Sequence, residues 1–320
     1  MFNLATILTE SARAVPDKPA LISGLNRISY RDLDNRSSAV AANLAARGLV
    51  PGDAVGLQLP NTVDFAVAWF GILKAGLVAV PFGVTLRAGD IARCLDEASA
   101  RAFVTGVSSL GAALDGADSA AVYDVFVSGY PVPTTPCAVG LPATPPAGPD
   151  LAAARPFADL LDPRRPVEPP VDREPEDVAA LMAGDPPELT HFQLHMGTHE
   201  DIRRDDVLLG ALPLFHRFGL SAVLVTAVRH GATVSLLERF SAGAALAAVQ
   251  RDRVTTFAGV PSMFGALVAH PDVTRYDTSS LRSAFCGEAT LPAGLVDGFE
   301  ERFKVPVREE VVPLLTSRRT

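Results

Sequence analysis

The chain has 320 residues, 48% hydrophobic and 20% charged, which is long enough for a sizeable core and too apolar for a disordered protein. Its net charge is −8 and no run of lysines and arginines stands out, which argues against nucleic acid or an anionic membrane surface as a partner. Cys94, Cys137 and Cys286 are odd in number and far apart, so no disulfide framework or CxxC metal spacing exists and a reducing cytoplasm is expected.

The N-terminal stretch MFNLATILTESARAVP lacks the basic segment of a signal peptide and predicts an amphipathic helix over residues 3–14. No run of about 18 apolar residues exists to span a bilayer. ALIS (20–23) and RISY (27–30) flank Gly24 and Asn26, a hairpin signal. Ser29 and Asp32 resemble a capping box for a helix that runs to about Arg47, with Gly48 just past its end. AVGLQL (54–59) predicts a strand, and Asn61 is placed to cap the next helix, VDFAVAWFGILKAG, whose apolar character on most faces predicts burial. Strand LVAVPF (77–82), helix 87–98, strand AFVTG (102–106), helix 108–115 and strand VYDVFVS (122–128) follow.

Residues 131–175 then hold thirteen of the 26 prolines, which predicts an extended, exposed linker. Beyond it come strand DVAALM (177–182), the break GDPPE, and a short helix in LTHFQLHM (189–196). Helix 220–229, strand 232–237, helix 241–251, strand 254–260, helix 261–269, strand 281–287, helix 292–303 and a last strand in 305–312 complete the series. Alternation of this kind predicts an α/β fold with two stacked βα subdomains, 1–130 and 176–320, and largely parallel sheets.

The stretch LLGALPLFHRFGL (208–220) organises the second half. An apolar run of strand length meets Pro213, which cannot continue a central strand, and leaves Phe215, His216, Arg217 and Phe218 on the connection. Ligands of open α/β sheets bind at such connections, outside the carboxyl ends of the strands. The pattern alone leaves two readings: an apolar pocket with a polar entrance, or two core phenylalanines beside a histidine that caps a backbone group.

PLFHRFGL (213–220), GVPSMFGALV (259–268) and SLRSAFCGEATLP (280–292), in this order and spacing, resemble the adenylate-forming acyl-CoA synthetases, especially the fatty-acyl-CoA ligases. The stretch from SYRDLDNRSS through LVAVPF resembles that family throughout, and the likeness covers residues 4 to 308. The resemblance implies the N-terminal domain of such an enzyme, which binds ATP, magnesium and a carboxylic acid, forms an acyl-adenylate and passes the acyl group to coenzyme A. It implies an acyl pocket formed by Phe215, His216, Phe218, Val260, Met263 and Phe264, with Gly287, Glu288 and Ala289 against adenine.

Two departures bear on activity. The family's phosphate loop, TSGTTGxPKG, falls between segments matching DVAALM and ELTH, where this chain has AGDPP (183–187), with no hydroxyl and no lysine. Pro186 and Pro187 remove two further N–H donors. After Glu310 the sequence reads VVPLLTSRRT instead of a YGxTE motif, and the lid domain that carries the family's catalytic lysine is expected to be missing. A fatty-acid–CoA ligase with little or no activity as an isolated chain is therefore expected. The alternatives are a non-catalytic acyl- or acyl-CoA-binding or interaction protein, and a ligase restored by a partner chain. Exposed apolar surface would favour a homo-oligomer. His191, His195 and His199 recur at helical spacing, but Gly197 interrupts the helix and HxxxH lacks the adjacent glutamate of a zinc protease, so no metal site is expected.

Overall fold

The structure, a computed structural model, describes residues 2–120, 122–129, 154–165, 168–182, 188–196, 201–287 and 289–309. Helix α1 (Thr6–Ala14) buries Ile7 and Leu8 and precedes a hairpin of β1 (Pro19–Ser23) and β2 (Asn26–Ser29). Gly24 makes its turn at φ +60°, a conformation that favours glycine. The hydroxyl half of the predicted capping box is present at α2 (Tyr30–Ala45). The Asp32 amide donates to Ser29 Oγ at 3.1 Å, and the Ser29 hydroxyl donates to the Asp32 carboxylate at 2.8 Å.

Next come β3 (Ala54–Gln58), α3 (Val63–Lys74), β4 (Val78–Pro81), α4 (Ala88–Glu97), β5 (Ala100–Gly106), α5 (Leu110–Asp118) and β6 (Asp124–Ser128). Phe65, Trp69 and Phe70 of α3 are fully buried, as its all-round apolar sequence predicts. β7 (Ala154–Pro156), β8 (Val178–Leu181) and β9 (Glu188–Thr190) close this series. The sheet runs β7-β6-β5-β3-β4-β8-β9 and is parallel from β7 to β8.

The second series holds α6 (His191–Met196), β10 (Val207–Gly210), a helical run of α7 (Arg217–Gly219), a π-helical stretch (Leu220–Val225) and α8 (Thr226–His230). It continues through β11 (Thr233–Leu236), α9 (Ala242–Asp252), β12 (Thr256–Gly259), α10 (Pro261–Val268), β13 (Ser283–Cys286), α11 (Ala293–Phe303) and β14 (Val307–Glu309). Its sheet runs β14-β13-β12-β10-β11-β1-β2, with only the β1–β2 hairpin antiparallel. No helix of the described residues is long and apolar enough to cross a membrane.

The α/β class holds, but the proline-rich stretch does not divide the two sheets. β1 and β2 join the second sheet, and β8 and β9 the first. The chain accordingly falls into two compact units: Met1–Asn3, Asn35–Leu59 and Val67–Leu189 in one, and Leu4–Asp34, Pro60–Ala66 and Thr190–Thr320 in the other. The described part of 131–175 is also not an exposed linker. β7 pairs with β6, Phe157 and Leu160 are buried, and the Val171 amide donates to the Lys74 carbonyl. Two well-placed apolar side chains and backbone pairing hold a segment that its proline content alone marks as extended.

Candidate functional site

β10, β12 and β13 are parallel neighbours, so Gly210, Gly259 and Cys286 lie on one carboxyl edge. The connections leaving that edge carry most residues of the predicted acyl pocket. After β10 the chain turns at Pro213, whose carbonyl accepts from the His216 amide at 3.1 Å, and helix begins as the Leu220 amide donates to the His216 carbonyl at 2.9 Å. A Cβ at Gly219 would lie 2.2 Å from the Pro213 oxygen, so helix and turn pack backbone on backbone. Gly219 is right-handed (φ −61°, ψ −39°), and alanine there gains up to about 1 kcal/mol of helix propensity. The clash costs about 1–3 kcal/mol because a carbonyl cannot swing aside as a side chain tip can. Gly219→Ala should therefore be destabilised, whereas Gly294→Ala, with open space around its Cβ, should be neutral or stabilised. Equilibrium denaturation of both reads the difference.

The helix that follows is wound wide over Leu220–Val225, and the Thr226 hydroxyl donates to the Ser221 carbonyl at 2.7 Å. Such π segments recur at functional sites because they re-aim the residues before them. Phe218 is buried, Phe215 half-buried and His216 exposed. His216 occupies the cap position of α7, but its side chain makes no cap hydrogen bond. The Phe218 ring lies against Gly287, where a Cβ would come within 2.2–2.5 Å of three ring atoms. Residues far apart in sequence thus meet at the carboxyl edge, and only glycine admits the ring at this distance.

Val260 is half-buried and extended at the cap of α10, and Met263 packs partly buried against the core. Phe264 is different. It is fully buried, with its ring centroid 5.0 Å from Phe257 and 4.8 Å from Phe299, which stacks on towards Phe303 at 4.4 Å. The resemblance assigns Phe264 to the acyl pocket, and its ring packs into this aromatic core. Ala289 is exposed, and Glu288 and the AGDPP segment lie outside the described residues. Cys286 Sγ sits 3.6 Å from the Ala289 carbonyl, and burial, with the nearby Glu309 carboxylate, pushes its pKa up to about 11. That thiol is no nucleophile near neutral pH.

Sequence reasoning missed Asn61. Its position predicts a cap for α3, but the Thr62 hydroxyl accepts from the Phe65 amide instead. The Asn61 side chain is buried and donates to the Gly210 and Leu212 carbonyls at 2.9 and 2.7 Å, while its oxygen accepts from the Leu214 amide at 2.9 Å. No local signal marks those partners, about 150 residues away.

The opposite, amino edge holds an ion pair of Asp206 with Arg282 and a cleft of about 270 Å³ lined by Asp201, Arg203, Arg282 and Arg308 among others. Arg282 is committed to Asp206 and Arg308 to Asp201. The cleft is not the predicted site. His191 is buried and its Nδ1 accepts the Leu4 amide, a contact that ties α6 to the chain before α1. Among the described residues no three His, Cys, Asp or Glu side chains are grouped to hold a metal ion.

The family model described as AMP-binding enzyme matches residues 8–182 and 188–312. The chain belongs to that family. Within the AMP-binding family, a feruloyl-CoA synthase of Amycolatopsis is 33% identical over 303 residues, 91% of this chain and 55% of its own length. A 4-coumarate–CoA ligase of Pinus taeda is 30% identical over 305 residues, 90% of this chain and 53% of its own. An anthranilate CoA ligase crystallised with anthranoyl-AMP superposes with a TM-score of 0.83 at 22% identity, covering 96% of this chain and 59% of that one, and shows the shared fold. The chain spans about half the length of the curated relatives it matches. The break in the AMP-binding match, 183–187, is the AGDPP segment. A magnesium triphosphate asks for a nest of N–H donors, hydroxyls and a lysine. One glycine, an aspartate and two prolines do not fit it.

Proposed function

We propose that this chain binds the acyl part of a carboxylic acid at the carboxyl edge of its second sheet, and that it is a degenerate acyl-CoA ligase with little or no ATP-dependent activity of its own. The observation that carries the acyl reading is the packing of Phe218 on Gly287 beside exposed His216, an apolar floor with a polar entrance. Phe215, Val260 and Met263 stand at the same edge and would complete the wall. The residue types suit an acid with an apolar body. The names of the feruloyl-CoA synthase and the 4-coumarate–CoA ligase favour an aromatic acid, and the motif resemblance favours a fatty acid. Coenzyme A enters as the acceptor those names carry.

The degenerate reading rests on AGDPP. Each lost donor to developing charge costs an enzyme about 10²–10³ in rate, and several are lost together here. A non-catalytic acyl-binding role is favoured by the same AGDPP sequence, since the apolar residues Phe215 and Phe218 are retained beside it in the series of motifs. Two assays separate these readings from a working ligase. Ferulate, benzoate or palmitate should raise the melting temperature, by the equivalent of about 2.7 kcal/mol at a hundredfold excess over Kd, and ATP with magnesium should not. Acid-dependent exchange of pyrophosphate into ATP should be absent. Exchange at the rate of an intact ligase would overturn the degenerate reading, and failure of all three acids to bind would overturn the acyl site. Sedimentation at several concentrations reads whether the chain self-associates.

A further inference from the structure

We infer that Asn61 is a positioning residue for the acyl site: its side chain fixes the turn from Gly210 to Leu214 and so sets where His216 and Phe218 stand. This rests on the acyl reading given above.

The argument starts from what the turn lacks. β10 ends at Gly210, and Pro213 has no N–H, so the connection cannot close its own ladder. The Gly210 carbonyl accepts from the Leu237 amide, and the Pro213 carbonyl from the His216 amide. The Leu212 carbonyl and the Leu214 amide have no such backbone bond among those between described residues outside regular elements. Asn61 meets both, with its amide on the Leu212 oxygen at 2.7 Å and its carbonyl under the Leu214 N–H at 2.9 Å. A second hydrogen of the same amide reaches the Gly210 oxygen at 2.9 Å. Only an amide side chain offers two donors and an acceptor in one plane, so aspartate, serine and alanine each lose part of the set.

The turn so held is short and rigid. Leu212 and Leu214 are buried on either side of Pro213, and Gly219 admits the Pro213 oxygen at its Cα. Phe218 follows within one helical turn and reaches Gly287. A shift at Leu214 would therefore carry His216 and Phe218 with it, where the ring has no slack against Gly287.

A matched control exists. Asn43 is buried to a similar degree and also donates to distant carbonyls, of Leu160 and Asp162, in the other compact unit. Its loss should destabilise without touching the acid.

The experiment combines residue-resolved amide hydrogen exchange with binding of ferulate, benzoate and palmitate to wild type, Asn61→Ala, Asn61→Asp and Asn43→Ala. In wild type the Leu214 amide should be among the slowly exchanging ones, and rapid exchange there overturns the inference without any variant. In the Asn61 variants exchange should quicken from Leu212 to Phe218, and acid affinity should fall by about tenfold or more, while Asn43→Ala keeps wild-type affinity. Unchanged exchange in that turn, or a loss of affinity equal in Asn43→Ala, overturns the positioning role and leaves the acyl reading standing. Failure of wild type to bind any of the three acids overturns the acyl reading instead, and with it the link from Asn61 to the acid.

Discussion

Asp206→Ala should cost about 3–5 kcal/mol, because it leaves a partly buried guanidinium without its partner. Asp206 is 2% exposed and precedes β10. One carboxylate oxygen accepts from Arg282 Nε at 2.6 Å and from the Thr255 hydroxyl at 2.7 Å. The other accepts from the Arg203 amide at 2.7 Å and from Arg282 Nη2. Thr255 precedes β12 and Arg282 precedes β13, so one side chain gathers the starts of three neighbouring strands. A loss of this size is a large share of a typical stability of about 5–15 kcal/mol. Chemical denaturation of the two proteins measures it, and a loss below about 1 kcal/mol would mean that the pair is solvated like an ordinary surface bridge.

The same carboxylate fixes a pH dependence. Burial pushes its pKa up, but the hydrogen bonds from Arg282, the Arg203 amide and Thr255 outweigh burial and hold it below the ordinary range. A depressed carboxyl contributes stability that is present above its unfolded pKa of about 3.9 and is lost as pH falls through the folded value. The gap between wild type and Asp206→Asn should therefore be flat above about pH 5 and narrow on acidification below about pH 4. A gap that stays constant into that acid range would mean that the folded protein does not hold this proton off.

What the sequence made legible is local. The hairpin at Gly24, the Ser29–Asp32 cap and the buried α3 follow from turn chemistry, capping and periodicity, which act within a few residues. The placement of PLFHRFGL at a strand's carboxyl end follows in the same way, from Pro213 and the run before it. Pairing between distant segments is not written locally. VAAL of β8 reads as a strand, but nothing in those residues says that it pairs with β4, small side chain on small at Ala79 and Ala180. Asn61 failed for the same reason: an asparagine before a helix reads as a cap, and its real partners lie beyond any local window. Phe264 is ambiguous in another way: an apolar residue in a helix next to a pocket motif satisfies core and pocket patterns equally well.

Phe264 is where those two patterns give opposite results on measurement. Its ring closes a cluster with Phe257 and Phe299, and Phe299 in turn packs on Phe303. Phe264→Ala should lose about 3–5 kcal/mol, through the transfer term of a whole ring and the cavity it leaves between β12 and α11. The neighbouring clusters cannot collapse into that space without breaking their own contacts, because the rings are held from several sides. A tunnel wall would behave otherwise. Its truncation would enlarge the site, shift preference towards bulkier acids and leave the melting temperature nearly unchanged. The two outcomes are read on one variant, by denaturation and by the affinities of benzoate and palmitate. Met263→Ala is the companion, since that side chain is half-buried beside the same helix. If Phe264→Ala alters acid preference while Met263→Ala only destabilises, their roles are reversed and the acyl wall runs deeper beneath α10 than the packing of Phe264 implies.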